Sequence, residues 1–235
     1  MNVTAFVFAR GGSKGLKGKN LKSFAGKPLI AWTIEQALGN SRINRVIVST
    51  DSPEIARIAV GLGAEVPFMR PAELATDDSP ELESWKHALR YLSEAEGRLP
   101  DIFLSLPCTS PLRNQDDINS NLNCLIEHQG DLAITVTPSS RNPYFNMVKV
   151  ENDGTVNMAI DSEARPFRRQ DAPIIYDITT IAYSANPNYI LRTDGLLSGK
   201  VCACFIERDR AVDIDTEIDF EFAELLFLKG NHVDE

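Results

Sequence analysis

Two stretches at opposite ends of the chain carry residue types that do chemistry in company. Near the start, Arg10-Gly11-Gly12-Ser13-Lys14 closes an apolar run, and Lys17, Lys19 and Asn20 follow shortly after. Glycines let backbone N–H groups approach an anion closely, and the basic side chains offset its charge, so the pattern points to phosphate. Arginine can fork onto two oxygens, whereas lysine acts as a point charge. Near the end, Asp213 and Asp215 stand two apart in "VDIDTE". On an extended segment such residues share a face, so both carboxylates can reach one site. Hard oxygen ligands beside phosphate suit Mg2+, which keeps several waters and uses one or two protein carboxylates. The same position suits helix capping, because Asp215 precedes Thr216 and Glu217 at the head of an amphipathic run.

Spacing narrows the phosphate reading. The dinucleotide fingerprint G-x-G-x-x-G fails at Ser13. The nucleoside-triphosphatase loop G-x-x-x-x-G-K-[ST] nearly fits at 13–20, but Ser13 replaces its first glycine and Asn20 its magnesium-binding hydroxyl. What remains is R-x-G-S-K-x-x-x-x-K-N.

The elements that must hold these residues follow from periodicity. "VTAFVFA" (3–9), "RVIVST" (45–50) and "DIFLSLP" (101–107) are continuous apolar runs suited to buried strands. Between them lie helical patterns. "KPLIAWTIEQAL" (27–38) has Pro28 near its first turn, and "SPEIARIAVGLG" (52–63) has Ser52 as cap, Pro53 at the first position and Gly63 as stop. "LESWKHALRYLSEA" (82–95) and "NQDDINSNLNCLIEHQ" (114–129) are amphipathic. This alternation predicts a Rossmann-like α/β fold, with a mostly parallel sheet covered by helices on both faces. Arg10 to Gly12 then fall at the carboxyl end of a strand, where such sheets bind ligands. From about residue 131 the rhythm changes. "DLAITVTPS" and "FNMVKV" read as strands, and 162–173 is basic and irregular, before "ITTIAYSA", "VCACFIE" and a last helix over 215–229. The plan is a single domain over 1–235, with a β-rich excursion at 138–172.

Composition bounds the function. The 235 residues are 43% apolar and 24% charged, as in a soluble globular protein. A net charge of −9 argues against a nucleic-acid-binding surface. No apolar run approaches the ~20 residues of a membrane helix and no signal segment opens the chain, so it reads as cytoplasmic and reduced. Cys108, Cys124, Cys202 and Cys204 follow no disulfide-scaffold or zinc spacing. Cys202 and Cys204, which alternation puts on one strand face, read as small buried residues in preference to metal ligands.

The basic loop resembles the signature of the sugar nucleotidyltransferases, specifically the acylneuraminate cytidylyltransferase family. "KNLKSFAGKPLIAWTI", "VIVSTDSPEIARIA", "RPAELATDDSP", "TSPLR" and "DIDTEIDFEFAE" are similar to further family segments in order and spacing, over nearly the whole chain. The resemblance implies transfer of CMP from CTP to the anomeric 2-hydroxyl of a 3-deoxy-2-keto sugar acid, with release of pyrophosphate. It assigns Arg10, Gly11, Gly12, Ser13, Lys14 and Lys19 to the triphosphate, Asn20 to the ribose, and Arg70 and Ser79 to the rest of the nucleotide. Arg10, Lys19 and Asp215 take catalytic roles, and Asp213 and Asp215 hold Mg2+. Thr109, Ser110, Arg168, Arg169 and Gln170 go to the sugar. The excursion, with Tyr144, Phe145 and Phe167 exposed, is implied to build a homodimer and reach the partner's site. The sugar side departs from the family pattern at Pro107, Asp177 and Thr179-Thr180, where a glutamine, an arginine and asparagine-glycine are usual. Alternatives are a Kdo-type eight-carbon acid as acceptor, a glycosyltransferase using "DID" as its metal motif, or a non-catalytic sugar-nucleotide-binding regulator.

Overall fold

A computed structural model of the chain describes residues 1–12, 15–161 and 166–230. In chain order the elements are β1 (Val3–Phe8), β2 (Ser23–Phe24), β3 (Lys27–Pro28), α1 (Leu29–Leu38), β4 (Arg45–Ser49), α2 (Pro53–Gly61), α3 (Glu81–Glu96) and β5 (Ile102–Ser105). There follow α4 (Gln115–Glu127), β6 (Leu132–Pro138), β7 (Val148–Val150), β8 (Val156–Met158), β9 (Tyr176–Ala185), α5 (Pro187–Arg192), β10 (Val201–Phe205) and α6 (Glu217–Gly230).

Six strands form the central sheet in the order β10-β6-β9-β5-β1-β4. β1 is parallel to β4 and β5, and β10 to β6, whereas β9 runs antiparallel between β5 and β6. The sheet is therefore mostly parallel, as the alternation predicts. β1 shows why its sequence is apolar throughout. Val3, Ala5 and Val7 join the core on one face with Ile30, Ile34, Ile55 and Leu122, so α1, α2 and α4 cover that face. Phe6 points the other way, into a core with Trp85, Leu89 and Ile190, so α3 and α5 cover the second. A strand buried on both faces has no polar side to show.

The helix ends follow their sequence signals. Ser52 accepts a hydrogen bond from Ile55 N at the start of α2, and Gly63 takes φ +96° just beyond its end. Asn114 and Asp117 form a reciprocal capping box at the start of α4. α6 differs from expectation. Thr216 and Asp219 exchange its capping bonds, with Thr216 N donating to Asp219 Oδ2 at 2.8 Å and Asp219 N to Thr216 Oγ1 at 3.3 Å. The cap is thus Thr216, and Asp215 is released from that role. α6 packs on the β2–β3 hairpin through Phe24, Leu29, Ile214, Phe220 and Ala223, which draws the end of the chain against its beginning.

In the excursion, β7 and β8 pair as a small antiparallel hairpin. Phe167 is 93% exposed, as expected, but Tyr144 and Phe145 are half-buried and line a hollow with Val156, Met158 and Ile160. Cys204 is buried, whereas Cys202 is only half-buried. Arg210 Nη1 pairs with Glu207 at 2.8 Å while the same guanidinium grips Asp117. No helix among the described residues is long and apolar enough to cross a membrane.

Candidate active site

A cleft of about 470 Å³ opens at the carboxyl ends of β1 and β5. It is lined by Arg10, Gly15, Lys19 and Asn20 from the basic loop, Pro107, Cys108 and Thr109 after β5, Thr180 of β9, and Asp213, Asp215 and Thr216 before α6. Phe8 and Glu81 complete it. The two ends of the chain that carry chemistry meet here.

Lys19 joins them. Its Nζ donates to the carbonyl of Ile214 at 2.6 Å and lies 3.2 Å from Asp215 Oδ1. A Cβ on Gly15 would stand 2.4 Å from the carbonyl oxygen of Asp215, so only glycine allows the loop this close to the aspartate segment. Asn20 is buried and donates to the carbonyl of Arg10 at 3.0 Å, pinning the end of the loop to its start. Ile214 N donates to Thr109 O at 2.9 Å, tying the aspartate segment to the "TSPLR" turn as well. Arg10 itself pairs with Asp77 at 2.6 Å.

The two aspartates sit differently. The Asp215 side chain is 74% exposed, reaching into the cleft. Asp213 is half-buried, and its Oδ1 is shielded from water without a hydrogen-bond partner. Burial raises the Asp213 pKa, and repulsion from Asp215 adds to this, while hydrogen bonds from Thr109 and Thr180 oppose it. A buried carboxylate oxygen left without a donor is costly unless a cation meets it. With Asp215 beside it, this donor set is all oxygen and anionic, and it fits Mg2+.

Glu81 is a third carboxylate that the sequence reading missed. It opens α3, where an acidic residue ordinarily reads as a complement to the helix dipole. Although open to the cleft, it is crowded by protein, and that desolvation raises its pKa against the lowering effect of its hydrogen bond from Trp85 Nε1 at 3.2 Å. Thr180, in sequence only a departure from the family pattern, also belongs here. Its hydroxyl lies 2.6 Å from Ser110 Oγ and 3.5 Å from Thr109 Oγ1, making a three-hydroxyl group on one wall.

Other expected residues stand apart. Arg70 is buried, so it is no surface ion pair. Its guanidinium donates to Ser49 Oγ and to the Ser49 carbonyl and lies 5.5 Å from the centre of the Phe8 ring, behind the cleft wall. Desolvation lowers its pKa to about 10. Gly11 N already donates to Asp51 Oδ1 at 2.8 Å, and Gly12 is open to solvent. Ser13 and Lys14 lie outside the described residues. Ser79 does not line the cleft, Ser110 is buried behind it, and Arg168, Arg169 and Gln170 lie on the excursion. There Arg168 pairs with Asp171 and Arg169 donates to Ser139 O. Arg113 of "TSPLR" is a brace. Fully buried, it donates to Gln36, Thr33 and the carbonyls of Ile181 and Pro107, holding β9 and the turn after β5 together.

A mostly parallel sheet with a glycine-rich basic loop at its carboxyl edge and a paired-carboxylate segment opposite is an arrangement suited to nucleotidyl transfer. The solved structure of CMP:2-keto-3-deoxy-manno-octonic acid synthetase complexed with CTP shares this fold, with a TM-score of 0.72 at 17% identity over 98% of this chain and 100% of that one. The cytidylyltransferase family model matches residues 4–233, and the chain belongs to that family. It is 34% identical to the CMP-N,N'-diacetyllegionaminic acid synthase of Campylobacter jejuni, over 97% of this chain and 96% of that protein. It is 31% identical to the N-acylneuraminate cytidylyltransferase of Escherichia coli over 97% of this chain, which spans 53% of that longer protein.

Proposed function

We propose that this cytidylyltransferase moves CMP from CTP to the anomeric 2-hydroxyl of a 3-deoxy-2-keto acid of the sialic or nonulosonic type. The observation that carries the reading is the meeting of Lys19 with Asp213 and Asp215 in one cleft. The hydroxyl oxygen attacks the α-phosphorus in line, the bond from that phosphorus to the β-phosphate bridge breaks, and pyrophosphate leaves with the electron pair. The hydroxyl proton is released. No covalent enzyme intermediate is required, so the side chains act by positioning and by offsetting charge. Arg10 and Lys19 hold the triphosphate, and Asn20 keeps the loop closed around it. Asp213 and Asp215 are the residues that would hold Mg2+, which when bound supplies charge for the α-phosphate and acidifies the attacking hydroxyl. Thr109 and Thr180 offer hydroxyls to the sugar, with Ser110 behind them bonded to Thr180, where the family's usual glutamine is absent and Pro107 stands.

The reading includes a homodimer built by 138–172, a single domain over the chain, and a cytoplasmic site of action. Supporting the dimer, exposed apolar side chains gather on and beside the excursion: Val148, Val150, Val156, Phe167, Ile174 and Ile178. The likeness to the eight-carbon-acid synthetase is one of fold, whereas the legionaminic relative is twice as similar in sequence. The test is pyrophosphate release and CMP-sugar formation from CTP with N-acetylneuraminate, N,N'-diacetyllegionaminate and 2-keto-3-deoxyoctonate. Turnover with a nine-carbon acid is expected. Turnover with the eight-carbon acid alone would replace the acceptor, and no turnover with any acid would leave a binding protein.

A further inference from the structure

Away from the cleft, a thiol sulfur of Cys124, a ring nitrogen of His128 and the thiol sulfur of Cys202 all lie within 4.8 Å of one another. Cys124 and His128 are four residues apart at the end of α4, so their side chains share a helix face. Cys202 comes from β10, the outermost strand on that side of the sheet. Its Sγ lies 3.4 Å from the carbonyls of both Cys124 and Leu132, which seats it under the helix end. Burial is graded across the group. Cys124 is buried, Cys202 half-buried and His128 exposed, so the donors open to solvent through the imidazole. His128 Nδ1 lies 3.0 Å from the carbonyl of Cys124, an outer contact of the kind that orients metal-binding rings.

We propose that Cys124, His128 and Cys202 form a zinc site, with the fourth position open to water. Two sulfurs and one nitrogen are the donors that zinc prefers, and they exclude the hard cations suited to the cleft. Tetrahedral zinc at ordinary bond lengths spaces such donors about 3.5–3.8 Å apart. A closure of about 1 Å by side-chain rotation would bring the donors, all within 4.8 Å of one another, to those spacings. The sequence concealed the site because Cys202 lies far along the chain from the C-x-x-x-H pair. A metal here clips the edge strand to α4. β10 leads directly to the segment bearing Asp213 and Asp215, and Asp117 of the same helix already holds Arg210 of that segment at 3.0 Å.

The experiment uses the whole reduced protein, titrated with Zn2+ against a chromophoric chelator and separately with Co2+ as a spectroscopic probe. One zinc per chain is expected, with two thiols protected from alkylation, a sulfur-to-cobalt charge-transfer band, and a rise in melting temperature. Cys124→Ser and Cys202→Ser should abolish the band, His128→Gln should weaken zinc binding by tenfold or more, and Cys204→Ser should bind as wild type. Melting behaviour without zinc, and pyrophosphate release with Mg2+, check that each variant is folded. If Cys124→Ser fails to fold, Cys202→Ser and His128→Gln, at less buried positions, decide the matter. Absence of the band in wild type, equal loss in Cys204→Ser, or disulfide formation between the two thiols without metal uptake would overturn the proposal.

Discussion

Replacing Lys19 and Lys22 separately by alanine distinguishes catalysis from mere grip. Lys19 makes one hydrogen bond to a carbonyl and one ion pair with the 74% exposed Asp215. The hydrogen bond contributes about 1 kcal/mol and the screened pair roughly 0–1 kcal/mol. Lys19→Ala should therefore cost about 1–2 kcal/mol of stability, or a drop of several degrees in Tm for a chain of this size. Lys22 pairs with Glu217 and lies 4.7 Å over the Phe220 ring. Its loss should cost about 1 kcal/mol, since an exposed cation–π contact adds roughly 0.5–1 kcal/mol. The sequence alone gave no reason for that cost. The two variants thus melt alike. In turnover they should separate, because Lys19 lines the cleft and Lys22 does not. Losing a donor to charge that develops in the transition state costs about 2.7–4 kcal/mol, or roughly 10²–10³ in kcat. Calorimetry with pyrophosphate release at saturating CTP measures both quantities. Equal kcat in the two variants, or a Lys19→Ala effect confined to KM, would refute the catalytic role and leave a CTP-binding contact.

Asp215→Asn should abolish turnover at saturating Mg2+ while stability stays within about 1 kcal/mol of wild type, the screened Lys19 pair being lost but the helix cap held by Thr216 and Asp219; normal turnover with normal melting would rule out the metal role. Gly15→Ala, whose Cβ would meet the Asp215 carbonyl at 2.4 Å, should cost about 1–3 kcal/mol and reduce turnover by shifting that segment, checked by melting and rate together. Mixing Arg169→Ala with Lys19→Ala protein should restore part of the activity if subunits exchange, since one site in each hybrid dimer keeps both residues. No recovery after exchange is shown by native mass spectrometry would count against a shared site.

Much of the frame was legible because it is written locally. The double-faced burial of β1 shows as an unbroken apolar run, and Ser52-Pro53 with Gly63 marks α2 at both ends. The loop and the aspartate pair were legible as chemistry, since glycine, lysine and paired carboxylates have few other uses together. What escaped depends on contacts across the chain. Thr216 outcompetes Asp215 for the cap because Asp219, one turn on, can answer it. Glu81 looks like an ordinary first-turn acid until the sheet brings Asp213 opposite. Arg70 reads as a nucleotide contact, yet the fold buries it against Phe8 and Ser49. The placement of β9 is equally non-local, because an apolar strand does not state its direction or its neighbours.

That placement has a consequence for how the chain is made. β9 separates β5 from β6, although the two are joined through α4 alone, so the growing polypeptide must leave a vacancy in mid-sheet. β1, β4 and β5 can pair once residue 105 has left the ribosome, and β5 then presents a bare hydrogen-bonding edge. The residues that pair with it are Tyr183 to Ala185 of β9, which at ~5–20 residues per second are complete about 4–16 s later. During that interval the nascent sheet has an unpaired edge of the kind that templates aggregation. Lengthening the excursion would add little to the thermodynamic cost of closing the loop, about 0.6 kcal/mol per doubling. It would prolong the exposure in proportion, so insertions there should lower the yield of soluble protein before they lower its melting temperature.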